Sequence, residues 1–441
     1  MASTYLTRTF GAETNRKIWT WSAWIKRQNL VSDHTNALFA AYENTSNRSV
    51  LRFYAHKLNL QDTDNSVDIT TNRLFRDNNA YYHIVVRVDT TQGTASNRVR
   101  FYVNGVQETS FATSNYPNQN ANMKMNANCL HFINARQDGS INSIADMSYS
   151  HIHFADGQSY APTEFGETDA TTGEWKIKTD VSVTYGNNGF FILKDGNSVT
   201  DQSGNGNNFT VGGGTLTKTE DSPSNVFATL NPLDYSPNPA TLQNGNTTYN
   251  KSSTGSGHNA SMTGTLGAMT GKWYYEFKPT NTSSFVAGMI RTNHGLPNGE
   301  GYYGTDAGSY SITNSGKIVG GSESSVSYSY SANDIFGMAY DLDNGKFYVH
   351  VNGTYLTSGN PTSGSTGTGS LGDIALGSNI YVPLVSNANY GQTNLIYFNF
   401  GNGYFGTTAV SSAGTNASNN GIFEYDVPTG YTALSTKGLN L

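Results

Sequence analysis

A chain of 441 residues is too long for one ordinary β-sandwich and favours two domains. With 26 Lys and Arg against 32 Asp and Glu, a net charge of −6 and no basic stripe, it offers little electrostatic footing for nucleic acid. Its single cysteine, Cys129, excludes an intramolecular disulfide, and no stretch approaches the roughly 20 apolar residues that cross a bilayer as a helix.

Charged residues reach only 13%, while aromatics reach 12% and glycines number 47. Long runs of Ser, Thr and Asn then supply the polarity, a mixture that suits strands and turns and disfavours long helices. The fold class expected is all-β, as two antiparallel β-sandwich (jelly-roll) domains joined by an ordered connector. The N-terminus MASTYLTRTF has no basic segment followed by an apolar core, so neither secretion nor membrane insertion is expected.

Residues 1–165 read as the first sandwich. In WTWSAWIKR the residues Trp19, Trp21 and Ile25 lie on one side of an extended chain and Trp24 on the other, so both faces can be covered. Short β-type runs follow, among them SVLRFY, KLNLQD, YYHIVVRVD, VRFYVNGVQE and MSYSHIHFAD. Asn104-Gly105 between RFYV and VQET is a strong hairpin signal, because both turn residues accept positive φ. Residues 166–234 read as the connector packing on the first domain, through Trp175, Phe190, Phe191, Ile192, Phe209, Phe227 and Leu230. APTEFG just before it is a one-turn helix candidate. Residues 235–441 read as the second sandwich, from KWYYEFKP, FVAGMI, DIFGMAYDL, GKFYVHVNG, NIYVPLVS and NLIYFNFG. Within it, SGNPTSGSTGTGSLGD is expected to be a long surface loop.

The segments YLTRTF, WTWSAWIKR, VVRVD, FYVNG and MSYSHIHFADGQSYAPTEFGE resemble laminin G-like, concanavalin A-like domains of phage structural proteins. The succession HFADGQ, APTEFGE, TGEW, YGNNGFFILKD, DQSGNGNNFT and DSPSNVFATLNPLD is similar to an arrangement in marine and cyanobacterial phage proteins. GKWYYEF, VAGMI, DIFGMAYDLDNGKFYVHVNG and VPLVS resemble a SPRY-type sandwich. These resemblances imply a virion surface component: a tail fibre, a spike or a capsid appendage. They imply other virion proteins as partners, host surface polysaccharide as a ligand, and neither nucleic acid nor membrane insertion. The sandwich pattern starts at Ser3, unlike tail fibres that carry a separate attachment domain first.

Enzyme chemistry finds no foothold in the residues. A retaining glucanase needs two carboxyl groups about 5 Å apart on one strand face, and Glu167, Asp169 and Glu174 lie among turn residues at the wrong spacing. Asp201, Ser203, Asn205 and Gly206 fit the first half of a calcium loop, but Gly212 stands where a closing Glu belongs. His151 and His153 alternate as on a strand face and lack a third zinc ligand. Asp341 and Asp343 are read as shaping a hairpin turn before Lys346. The expectation is therefore no catalytic residue, no cofactor and no metal.

What remains is recognition by aromatic surfaces, since sugar rings present C–H faces that pack on Tyr or Trp. Tyr302, Tyr303, Tyr328, Tyr330 and Tyr390 are the candidate contacts with glycan or partner. The function expected is non-enzymatic host-surface adsorption by an oligomer, a trimer above others, because repeated weak sites give avidity. The alternatives are a purely structural decoration or connector protein of the virion and a polysaccharide depolymerase.

Overall fold

The computed structural model describes residues 3–28, 30, 35–196, 198–235, 240–252, 260–295, 303–387 and 392–440. It is almost entirely antiparallel β-structure in two compact units, Met1–Lys218 with Ser222–Ser224 and Thr219–Asp221 with Asn225–Leu441. No helix among the described residues is long and apolar enough to cross a membrane.

Among the described residues, the first unit pairs an eight-stranded sheet with a six-stranded one. The larger runs in the order Phe111–Asn115, Val67–Thr71, Lys57–Asp62, Arg48–Tyr54, Asn36–Tyr42, Leu130–Ile133, Tyr5–Thr9 and Thr210–Gly213. The smaller runs Phe190–Ile192, Met147–Asp156, Ile18–Arg27, Tyr81–Asp89, Val99–Val103 and Val106–Gln107. Period-two alternation sends Trp19, Trp21, Ile25, Val86 and Phe154 from one sheet against Leu38, Leu51, Leu58 and Ile69 from the other. Trp24 leaves this core and is buried on the opposite face, where its ring stacks on His83 at 4.7 Å.

The segment expected to be a connector over 166–234 divides between the units. Its first part belongs to the first unit: Phe190–Ile192 extends the six-stranded sheet beside Met147–Asp156, and Thr210–Gly213 lies beside Tyr5–Thr9. Phe227 and Leu230 instead enter the apolar clusters of the second unit. Strand pairing is the reason, since Leu230–Tyr235 pairs with Ser261–Gly264 and Phe227 bridges to Ser435. APTEFG contains the short turn Pro162–Glu164.

The second unit packs a seven-stranded sheet centred on Tyr381–Ser386 and Val286–Arg291 against a nine-stranded one centred on Lys272–Pro279 and Phe336–Asp341, counted among the described residues. The Asn104-Gly105 hairpin expected from the sequence forms, and Asn352-Gly353 makes a second turn of the same kind. Asn104 and Gly105 have φ of 48° and 79°, Asn352 and Gly353 of 48° and 82°. In each, the Asn Oδ1 accepts a backbone N–H from the neighbouring strand, His83 at 2.8 Å and Ile335 at 2.9 Å. Asp341 Oδ1 accepts the N–H groups of Asp343 and Asn344 at 3.1 and 3.0 Å, holding the turn before Lys346. The Ser- and Gly-rich stretch from Ser358 to Asp373 is pinned down at its ends, because Pro361 and Leu371 are buried and Tyr431 Oη donates to the Pro361 carbonyl at 2.9 Å.

Candidate functional site

The outer face of the eight-stranded sheet carries a polar array that follows directly from alternation. In Arg48–Tyr54, Lys57–Asp62 and Val67–Thr71, every second residue, Leu51, Phe53, Leu58, Leu60, Val67 and Ile69, enters the core. Their neighbours Arg52, Asn59, Gln61, Asp68 and Thr70 therefore point the other way. Register then sets them in rows, Arg52 beside Asn59 beside Thr70, and Gln61 beside Asp68.

Asn59, only 1% exposed, ties the rows together. Its Oδ1 accepts from Arg52 Nε at 2.8 Å, and its Nδ2 donates to Asp68 Oδ1 at 2.7 Å and Thr70 Oγ1 at 2.8 Å. The Arg52 guanidinium lies 4.9 Å from the centre of the Tyr54 ring. Tyr54 itself is 50% exposed, so a large aromatic face is presented to solvent on a fixed support. Arg48 and Arg136 flank the array. Arg136 is held by Asn142 and Ser143 at 3.0 and 2.9 Å and by Asp138 at 2.8 Å. Burial lowers Arg52 to about 10, and the nearby charge of Arg136 pushes the same way. The arrangement thus offers an exposed aromatic face beside oriented donors and acceptors.

Sequence reasoning missed this face although the signal was present. The polar alternation in RSVLRFY, KLNLQD and VDITT marks one sheet face as polar and ordered, but loop tyrosines drew attention first. Of those, Tyr302 and Tyr390 fall outside the described residues, and Tyr303 opens the short turn Tyr303–Thr305, with its side chain also outside what is described. Tyr328 and Tyr330 come together, their rings stacked at 6.2 Å. Both are half-buried and pack edge-on against Phe336, at 6.1 and 5.2 Å, and Tyr330 also against Phe285. Tyr328 Oη donates to the Thr313 carbonyl, and burial raises both phenols. Both rings thus pack within the second unit while staying partly exposed.

The other groups weighed in the sequence are internally satisfied. Asp201 accepts from the N–H of Phe191, Ser203 and Asn207 and from Ser203 Oγ, while Asn205 Nδ2 donates to the carbonyls of Gly186 and Gly189. A bulge separates Ser150 from His153, with His151 at φ 50°, yet both His151 and His153 rings lie against Phe191. His151 is hydrogen-bonded to Ser150 Oγ at 2.7 Å and His153 to Tyr185 Oη at 2.8 Å. Lys176 reaches both Glu167 and Asp169 across the hairpin that carries them, at 3.5 and 3.0 Å. No group of three or more His, Cys, Asp or Glu among the described residues is placed to hold a metal ion.

In the second unit, the carboxylate of Glu276 is buried among four donors. The N–H groups of Glu424 and Tyr425 reach it at 2.9 Å each, Tyr274 Oη at 3.1 Å and Asn399 Nδ2 at 3.2 Å. Tyr274 Oη also meets His350 Nε2 at 2.7 Å. Burial pushes Glu276 up to about 7 and His350 down to about 4. Both side chains are closed off from solvent, so this network clamps the C-terminal segment to the sheet.

No curated protein sequence matches the chain. Among solved structures it is similar to the SPRY domain of human HERC1, at 12% identity over 38% of this chain and 96% of that one, TM-score 0.29. It is similar to the stonustoxin structure at 18% identity over 39% and 27%, TM-score 0.30, and to a human SPRY domain at 11% over 34% and 90%, TM-score 0.26. Residues 2–141, which include the whole polar array, match the family model Laminin_G_3, described as the concanavalin A-like lectin/glucanases superfamily.

Proposed function

We propose that the chain is a non-enzymatic surface protein of a tailed-phage particle, a tail fibre, spike or capsid appendage, that binds host-surface glycan through its first sandwich. The observation that carries the binding reading is Tyr54, half exposed above the Arg52, Asn59, Asp68 and Thr70 ladder. The lectin-type family match over residues 2–141 supports it. The virion assignment rests on the resemblance of HFADGQ, APTEFGE and YGNNGFFILKD to phage proteins. It carries with it an oligomer, a trimer above others, and other virion proteins as neighbours. Purified chain on a panel of bacterial surface polysaccharides is expected to bind at least one, with loss of binding in Tyr54→Ala. Binding to none of them removes the adsorption role, and antibody labelling that leaves phage particles bare removes the virion role.

A decoration or connector role towards another virion protein is the second reading. It is favoured by Met269 and Ile380, 45% and 40% exposed, which the bridge between Ala268 and Tyr381 sets side by side on the second unit.

A further inference from the structure

The polar face of the first unit is cationic in a chain that is acidic overall. Arg48, Arg52, Lys57 and Arg136 lie on or beside it, against Asp68 and Asp138, while the whole chain carries −6. Neither carboxylate is free: Asp68 accepts from Asn59 and Asp138 pairs with Arg136. Glu43 and Asp64, in the turns at the Arg48 end of the strands, are taken up by Lys124 at 2.6 and 3.6 Å. Arg48 and Arg52 make no ion pair among the described residues. Arg52 stands between two further cations: Arg48 lies on the same face of its own strand, and Arg136 is bonded to Ser143, whose carbonyl accepts the N–H of Ala37, the register partner of Arg52. Both charges act against that of Arg52, and an arriving anion would relieve this.

We infer that this face takes a carboxylated polysaccharide, its sugar ring packed on Tyr54 and its uronate carboxylates received by Arg48, Arg52 and Arg136. The inference rests on the glycan-binding reading and narrows it to one ligand class. The planar guanidinium fork matches a carboxylate in two parallel hydrogen bonds, which a neutral sugar does not need. Gln61, Asp68 and Thr70, each half-buried, suit hydroxyl groups. Asp68 in the middle of the ladder accepts from hydroxyl groups, which a polysaccharide supplies along its length and a DNA backbone does not.

The test is calorimetric titration of the full chain with polygalacturonate oligomers, dextran, dextran sulfate and single-stranded DNA. Polygalacturonate is expected to bind at least tenfold more tightly than dextran and to weaken as salt rises. Arg48→Gln and Tyr54→Ala are each expected to weaken it fivefold or more at unchanged melting temperature. Arg136→Gln serves as a second charge variant. Absent polygalacturonate binding, equal or tighter binding of dextran sulfate or DNA, or undiminished affinity in the folded Arg48→Gln variant would each overturn the inference. Binding of dextran without polygalacturonate would overturn it while leaving the glycan-binding reading in place. Binding of none of the polysaccharides would take both away.

Discussion

The indole Nε1–H of Trp175 donates to Nδ1 of His83 at 2.9 Å, joining a residue from the later part of the first unit to the middle of its six-stranded sheet. Because Nδ1 accepts, the proton of the neutral imidazole sits on Nε2 and is donated to Ser22 Oγ at 2.9 Å. The Trp175 ring fills the space that a Cβ on Gly166 would need, at 2.5 Å, and the same holds at Gly105. Trp175→Phe, which keeps the ring and loses the donor, is expected to destabilise the first unit by about 1–2 kcal/mol in urea unfolding. Gly166→Ala is expected to destabilise the wild type and to be nearly neutral in a Trp175→Ala background. Additive effects in that cycle would show that the ring is not the obstacle.

Four histidines of the first unit are held neutral by burial. His83 falls to about 3, His131 and His151 to about 4, and His153 well below its ordinary value. Below pH about 6.5 the unfolded chain takes up protons at these rings and the folded chain does not. Stability of this unit should therefore be level above pH 6.5 and fall as pH drops from there towards 4, by about 1.4 kcal/mol per pH unit for each group. Tryptophan fluorescence reports on this unit, since Trp19, Trp21, Trp24 and Trp175 belong to it and only Trp273 to the other. Melting temperatures that stay constant between pH 7 and 5 would contradict the buried neutral state.

Glu276 has the opposite sign. Its folded value, raised to about 7 by burial, means that the folded form holds a proton the unfolded form releases above about 4.5. Its contribution to stability is present at low pH and is lost as pH rises through 7. His350 in the same unit contributes loss on acidification, so the two are separated by substitution. Glu276→Gln places an amide N–H against donors from Glu424, Tyr425, Tyr274 or Asn399, and should cost about 2 kcal/mol or more. Calorimetry of the second unit should also find its stability rising more steeply with pH between 5 and 7 in this variant. An unchanged pH profile would mean that Glu276 does not titrate there.

Tyr328 and Tyr330 should differ under a one-atom change. Tyr328→Phe removes the hydrogen bond to the Thr313 carbonyl and should cost about 1 kcal/mol. The Tyr330 hydroxyl is buried without a hydrogen-bond partner among the described residues, so Tyr330→Phe should be neutral or stabilising. Denaturant midpoints decide between the two, and equal losses would contradict the packing described.

Much of the fold was legible because alternation and turn chemistry are local. WTWSAWIKR assigned Trp19 and Trp21 to one face and Trp24 to the other, and Asn104-Gly105 announced its turn through residues that accept positive φ. The candidate site was legible only in part. That Arg52, Asn59 and Thr70 share a face is a matter of period two, but that they stand in one row depends on the register of three strands.

By itself the sequence determined the two-layer β architecture, the hairpins and which residues face inward, because each follows from the geometry of a few consecutive residues. Only the tertiary structure decided that Phe227 and Leu230 join the second unit, that Tyr328 and Tyr330 spend their rings on Phe336, and that an exposed Tyr54 stands over a cationic ladder. Those outcomes depend on which distant strands pair and on how charge is balanced across them. Neither is encoded in any short run of residues, since pairing partners compete across the whole chain.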